Sequence, residues 1–391
     1  MYIYLMVTNY CPASCSFCDV CSSPQKSKNL SLSSMLKVVE IGSRLGYKGL
    51  YFSGGEPTTR LQDILEVIRY AKTKGYTNFH INTNSLFGIN KKNARKVIKL
   101  LEESGLTHLY VSVDYDHLKF IPYKCVLNVI KAVLESKLIN RFKLITVDRE
   151  ETRGKNTEIL KKIAKDLGGK YHESPLLKFS FLFEKYFPEE KYIFILLPRK
   201  RVNIERYGLR YSGRGRKFKK EIKFRSIKDY LFRSCYSIPT ILIRWDGKIL
   251  GCPYEGALYN NTFVIGNVND KNLKKIMARP RELLFGEKFH PLLTFIKIYL
   301  AVSSLKNEKI KKILASKYQY KCEFCKNLIK VVELKKLKLP SDFQVLLFVS
   351  RNWHLLLKGF ILDFIRNLMY LDLKYAFFKA KLLELIRGSF F

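Results

Sequence analysis

Tyr2-Ile-Tyr-Leu-Met-Val-Thr8-Asn-Tyr-Cys11-Pro-Ala-Ser-Cys15-Ser-Phe17-Cys18 sets out the plan of this 391-residue chain. Its first seven residues are apolar and β-branched enough for a buried strand, and a loop holding three cysteines follows at once. A helix then fits residues 33–45, with Ser31, Ser33 and Ser34 available as caps and Gly46 as its stop. The next strand, 49–52, runs into Ser53-Gly54-Gly55-Glu56-Pro57. Working outward, the spacing predicts helix 61–74, strand 78–82, helix 91–104, strand 108–113 and helix 123–136. Strand 142–147, helix 156–167 and a strand near 170–173 continue the alternation. Such repetition predicts an α/β fold with a parallel sheet and helices outside, and about six units make a partial (β/α)6 TIM-type barrel. Catalytic groups in barrels gather at the C-terminal ends of strands, where the cysteine loop and the Gly-Gly-Glu turn both lie.

Composition narrows the class. Hydrophobic residues at 47% beside 27% charged describe a folded globular chain and exclude a disordered one. No basic region precedes a long apolar core at the N-terminus, so we expect no signal peptide and a cytoplasmic protein, at most peripheral to a membrane. No uncharged apolar run is long enough for a transmembrane span; 292–302 and 360–371 come nearest and are broken by charges. With 71 Lys and Arg against 34 acids, the formal charge is +37, which suits either a solvated lysine-rich surface or a polyanion partner.

Nine cysteines without a secretory signal point to metal or redox chemistry more than to disulfides. Cys11, Cys15 and Cys18 place three thiolates within eight residues, close enough to hold three irons of a four-iron cube and leave the fourth without a protein ligand. An open iron can bind a small chelating molecule, unlike that of a four-cysteine electron carrier. Cys21, three residues after Cys18, leaves a four-thiolate zinc site as the competing reading.

The three-two spacing, with Phe17 just before the last cysteine, resembles the signature loop of the radical S-adenosylmethionine superfamily. The resemblance implies a [4Fe-4S] cluster on Cys11, Cys15 and Cys18 whose open iron binds S-adenosylmethionine. It also implies an oxygen-sensitive enzyme fed by a flavodoxin- or ferredoxin-type electron donor. Ser53-Gly54-Gly55-Glu56 resembles the family segment that contacts the cofactor's methionyl amino group. Asn82-Thr83-Asn84 and Ser112-Val-Asp114, at the ends of the third and fourth strands, stand where family members contact the methionyl and ribose parts. Arg153-Gly-Lys-Asn156-Thr-Glu158-Ile159 looks like the corresponding stretch of the molybdenum-cofactor biosynthesis branch. Caps and turns are the structural alternative for these Asn, Asp and Ser residues. No glycine-flanked adenine motif follows the fifth strand.

Past Pro175 the texture changes. Residues 198–225 hold twelve basic residues against two glutamates, interrupted by Gly208, Gly213 and Gly215, and 176–230 reads as a basic, aromatic insertion or linker. From Cys235 the pattern turns β, with Asp246-Gly247 suiting a tight hairpin turn, and 231–330 reads as a second, smaller domain. Cys235, eleven residues, Gly247, four residues and Cys252, with Cys322-Glu-Phe-Cys325 beyond, resemble an auxiliary-cluster domain of the SPASM or shorter Twitch kind, as does Gly266-Asn-Val. Four cysteines suffice for one auxiliary [4Fe-4S] cluster, and a zinc ribbon is the alternative. Cys125, inside a helix, reads as a buried apolar residue. The tail, 331–391, reads as amphipathic helix.

A peptide or protein substrate is the first functional expectation, since the auxiliary-cluster family includes mainly peptide and protein maturases. The chain starts almost at its first strand, leaving no room for the leader-binding domain of many peptide maturases. RNA or nucleotide modification through 199–225, with Tyr207, Tyr211, Phe218 and Phe224 interleaved, is the second. Lipid modification through the basic aromatic tail is the third, and a zinc-bearing binding protein without catalysis stands outside the enzyme class.

Overall fold

The computed structural model describes residues 1–175, 191–198, 200–210, 212–222, 225–226, 240–252, 261–280, 293–305, 307–318, 327–328, 344 and 348. Two compact units divide the chain: Met1–Lys223 with Ile238–Leu284, and Phe224–Ser237 with Phe285–Phe391. The first holds the cysteine loop and the long sheet.

The strands in chain order are β1 (Tyr2–Thr8), β2 (Gly49–Gly54), β3 (Asn78–Thr83), β4 (His108–Ser112), β5 (Phe142–Asp148), β6 (Lys170–Pro175), β7 (Lys191–Leu196) and β8 (Arg201–Gly208). A second group follows: β9 (Arg225–Ser226), β10 (Thr240–Ile243), β11 (Lys248–Leu250), β12 (Val264–Asn267) and β13 (Lys317–Tyr318). Helices α1 (Leu32–Arg44), α2 (Leu61–Thr73), α3 (Lys91–Ser104), α4 (Tyr115–Leu118), α5 (Tyr123–Leu134) and α6 (Arg153–Asp166) fill the crossovers.

Local chemistry fixes these boundaries. Ser31 caps α1 by accepting the Ser34 amide, and Asn90 caps α3 through that of Asn93. Gly46, Gly75 and Gly105 end α1, α2 and α3 at positive φ, the conformation that glycine adopts without a Cβ penalty. Ala94, Val97, Ile98 and Leu101 recur at helical spacing and form the buried stripe of α3.

Eleven strands form one open sheet in the order β12-β11-β10-β1-β2-β3-β4-β5-β8-β7-β6. From β10 to β8 all neighbours run parallel, so the sheet is a partial barrel that does not close. Ile3, Leu5 and Val7 of β1 are fully buried on one face, and Leu50, Phe52, Phe79 and Ile81 continue that core. The opposite face carries an aromatic ladder. Tyr4 stacks on Tyr51 at 4.5 Å, and His80 lies flat against His108 at 3.9 Å and 4°.

The order departs from the sequence expectation at both ends. Residues 170–175 form a strand, but β6 pairs antiparallel with β7 at the sheet edge, and β8, from the basic stretch, takes the place parallel to β5. Val202 and Ile204 are buried, so β8 supplies the alternating apolar residues that Lys170-Tyr-His-Glu-Ser-Pro175 lacks. The Asp246-Gly247 hairpin forms between β10 and β11 with Gly247 at φ +77. Its first strand joins β1 because Ile241, Leu242 and Ile243 are buried on both faces, as a central strand requires.

The second unit includes α8 (Leu293–Ser303), α9 (Glu308–Ala315) and the short antiparallel pairing of β9 with β13, while α7 (Leu273–Ala278) belongs to the first. No helix among the described residues is long and apolar enough to cross a membrane. Nearly all of the expected amphipathic tail, 331–391, lies outside the described residues, as do 176–190.

Candidate active site

The cysteine loop leaves β1 and returns along its own path. Asn9 and Lys28 exchange backbone and side-chain hydrogen bonds, the Cys11 amide donates to the Ser23 carbonyl at 3.3 Å, and Leu30 rejoins Val7. Cys15 is buried, while Cys11 and Cys18 are half-buried. Donors are aimed at the sulfurs: the Ala13 amide lies 3.4 Å and the Asn84 side-chain amide 3.7 Å from Cys11 Sγ. Burial pushes the Cys11 thiol up to about 12, and Glu56, Cys15 and Cys18 add to the shift against the Ala13 amide. Cys18 is pushed up to about 11, again by burial first, with Arg214 and the Ser22 and Val20 amides opposing. Burial thus disfavours the bare thiolates, and a bound cation is what would stabilise them as ligands.

Among the described residues no three His, Cys, Asp or Glu side chains converge on a single ion. A four-iron cube asks for something else, because each thiolate takes its own iron. Cys21, held at φ +47, therefore gains no convergent zinc set here.

The turn after β2 is pressed against this loop. A Cβ on Gly55 would lie 1.8 Å from the Tyr10 carbonyl oxygen, and one on Gly54, at φ +122, would lie 2.3 Å from that of Thr8. The Gly55 and Glu56 amides donate to those same oxygens at 2.7 and 2.8 Å. Glu56 is 2% exposed, and its carboxylate accepts from Thr58, from Thr83 Oγ1 at 2.7 Å and from the Asn84 amide at 2.7 Å. Asn84 thus stands between Glu56 and Cys11. Ser85 beside it adopts φ +70, and its buried hydroxyl has no partner.

Asn82 accepts from Ser112 Oγ at 3.3 Å, so the side chains that end β3 and β4 meet. Asp114 is buried. Its Oδ1 accepts the His117 amide and its Oδ2 lies 2.7 Å from His117 Nδ1, which makes it the cap of α4. Phe17 meets the His117 ring edge-on at 5.5 Å. Burial opposes charge on His117, but Asp114 and the Cys15 sulfur push it well above the usual histidine range. Arg153, at the start of α6, is half-exposed and lies 3.9 Å from Asp148, which Arg206 meets at 3.0 Å. Asn156 is buried instead, linking Tyr115, Val147 and Asp148.

Sequence reading missed His117, Asp19 and the part played by the basic stretch. Arg214 donates from Nε to the Cys15 carbonyl and from Nη2 to that of Ser22. Arg216, Lys217, Lys219 and Lys220 turn outward. The glycines at 213 and 215 were the one signal, since such residues inside a charged run mark close backbone approach. Of the second cysteine set, Cys252 is half-buried, and Cys235, Cys322 and Cys325 lie outside the described residues.

Residues 5–163 match the model of the Radical SAM superfamily, and 217–293 match that of an iron-sulfur cluster-binding domain, SPASM. A PqqA peptide cyclase of Rhodopseudomonas palustris is 31% identical over 115 residues, 28% of this chain and 28% of its own length. A GTP 3',8-cyclase of Actinobacillus pleuropneumoniae is 32% identical over 118 residues, 29% of this chain and 33% of its own length. The chain thus matches about a third or less of these curated relatives. Among solved structures, native anSMEcpe with bound AdoMet and Cp18Cys peptide is similar at a TM-score of 0.46 and 14% identity, covering 90% of this chain and 99% of that one.

Proposed function

This chain belongs to the radical SAM superfamily, an enzyme family whose domain binds a [4Fe-4S] cluster and S-adenosylmethionine, and on that premise we propose that its substrate is a peptide or protein. When bound, the reduced cluster supplies the electron that splits S-adenosylmethionine to a 5′-deoxyadenosyl radical, which takes hydrogen from the substrate. Cys11, Cys15 and Cys18 hold the cluster, and Phe17 covers its side of the loop. The Gly54-Gly55 turn lets backbone approach the methionyl end, where Glu56, Asn82 and Asn84 line the site. Ser112, Asp114 and Arg153 belong to the same rim, with Asp114 acting through His117. The spacing of Cys235, Cys252, Cys322 and Cys325 supports an auxiliary cluster on these four; the first two fall within the matched SPASM region, 217–293, and the last two lie beyond it, and a flavodoxin- or ferredoxin-type protein is the electron donor.

One observation carries the peptide reading: a single chain pairs the SPASM match with 31% identity to a peptide cyclase over 115 residues. A nucleotide substrate is the second reading, favoured by the 32% identity to a GTP 3',8-cyclase. Anaerobically reconstituted protein, given dithionite and S-adenosylmethionine, is expected to release 5′-deoxyadenosine. An intact cluster that yields none overturns the enzyme reading. Deuterated peptides encoded by neighbouring genes should pass deuterium into that product; transfer from GTP deuterated at C3′ instead replaces the peptide reading with the nucleotide one.

A further inference from the structure

Residues 209–222 look, by composition, like a tether or a polyanion patch. In the fold Arg210 and residues 212–215 lie against the cysteine loop. Gly213, at φ +49, comes so close that a Cβ would fall 2.2 Å from the Cys18 carbonyl oxygen and 2.3 Å from that of Asp19. The next amide, Arg214 N, donates to the Cys18 carbonyl at 3.0 Å. From there the Arg214 fork spans the loop, reaching the Cys15 carbonyl at 2.8 Å and the Ser22 carbonyl at 2.7 Å. Ser212 Oγ donates to Asp19 Oδ1 at 2.5 Å, and Arg210 Nη1 lies 3.4 Å from Asp19 Oδ2.

We propose that the Ser212-Gly213-Arg214 turn is a clamp on the cluster-bearing loop, and that Arg214 is a positioning residue whose fixed positive charge favours the reduced cluster. This rests on the cluster reading of Cys11, Cys15 and Cys18 given above. The loop has no regular secondary structure, so its shape depends on such ties, and ordering it costs entropy that an unclamped loop regains. A planar fork holds two carbonyls apart in fixed geometry through two different nitrogens, which the point charge of a lysine ammonium does not, and a guanidinium never deprotonates. Reduction adds one negative charge to the cluster, and nearby charge and hydrogen bonding set cluster potentials. A permanent cation bonded to the carbonyls of Cys15 and Ser22 therefore shifts the couple upward.

Two substitutions in the reconstituted full chain separate the two parts. Arg214→Gln removes the charge; Arg214→Lys keeps the charge and loses the fork. The readouts are the midpoint of the cluster EPR signal that S-adenosylmethionine perturbs, and the rate of iron loss to a chelator. Arg214→Gln should lower the midpoint, changing the oxidised-to-reduced ratio at fixed poise by about tenfold, or about 59 mV for one electron. Arg214→Lys should keep the midpoint while losing iron several times faster. Ser212→Ala, which spares Arg214, should also speed iron loss, with the fold checked by circular dichroism. Parental midpoints and parental iron-loss rates in all three variants overturn the clamp alone. A parent that assembles no cluster overturns the radical-enzyme reading, and the clamp falls with it.

Discussion

Glu56, in the turn after β2, accepts the amide of Asn84, the residue after β3, at 2.7 Å, and the side-chain amide of that same Asn84 points at Cys11 Sγ. One buried carboxylate thereby connects two strand ends to the first cysteine. Replacing Glu56 by Ala leaves the Thr83 hydroxyl and the Asn84 amide buried without an acceptor. Each such orphan costs about 1–3 kcal/mol. Urea unfolding of Glu56→Ala should show a loss in that range or above it, and 5′-deoxyadenosine release should fall. Glu56→Gln keeps one acceptor oxygen but turns an NH2 toward the donors of the other, so it should recover only part of the stability and none of the release; full activity in both variants would reject a role for Glu56 at the site.

Gly55 allows an equally direct check. Its missing Cβ would sit 1.8 Å from a backbone oxygen of the cysteine loop, so Gly55→Ala must move the backbone on one side or the other. Overpacking of this kind costs about 1–3 kcal/mol. Iron retention after reconstitution should drop, whereas Gly154→Ala, with nothing within 4 Å of its Cβ, should bind iron as the parent does.

The two histidines of the aromatic ladder set an acid limit on stability. His80 is pushed down to about 3 by burial and by His108, Arg141 and Lys143; His108 is pushed down to about 4 by burial, Arg141 and Lys143. Tyr2 and Tyr51 also face the His80 ring, and Tyr110 Oη lies 3.1 Å from its Nδ1. Both folded values lie below the ordinary 6.5, so the unfolded chain takes up these protons first as pH falls. The stabilisation is present above pH 6.5 and is lost between there and about 4 for His108 and about 3 for His80, with a slope near 1.4 kcal/mol per pH unit per histidine. Unfolding free energies measured from pH 7 to 4 should show that slope, and the His80→Gln/His108→Gln double variant should flatten it.

Much of this fold can be read from punctuation and period. Serine or asparagine caps and terminal glycines bound α1 and α3 within a residue or two of where the spacing puts them, because those signals are local. The placement of β6 was not legible. The alternation of elements asks for a strand there, but which neighbour it pairs with depends on β8, thirty residues later, and on tertiary burial of Val202 and Ile204. At the site, cysteine spacing and Gly-Gly-Glu are local signatures. His117 and Arg214 were invisible because their meaning comes from contact across three-dimensional space: His117 looks like any residue of a short helix, and Arg214 like one cation among twelve.

Asp116 and Arg149 form the remaining test of how this rim is held. Arg149 Nε lies 2.9 Å from Asp116 Oδ2, both side chains are under 7% exposed, and the guanidinium sits 4.7 Å from the centre of the Phe218 ring. Breaking a buried pair from one side strands the other charge and costs about 3–5 kcal/mol, whereas replacing both partners by apolar groups of similar size is often near neutral. Lys119, 3.0 Å from Asp116 but largely exposed, offers only partial compensation. Arg149→Met should therefore destabilise strongly, and Asp116→Leu/Arg149→Met should recover much of the loss. A double-mutant cycle by denaturant unfolding measures the difference as a coupling energy. Additive single and double variants would mean that the pair does not hold α4 to the end of β5.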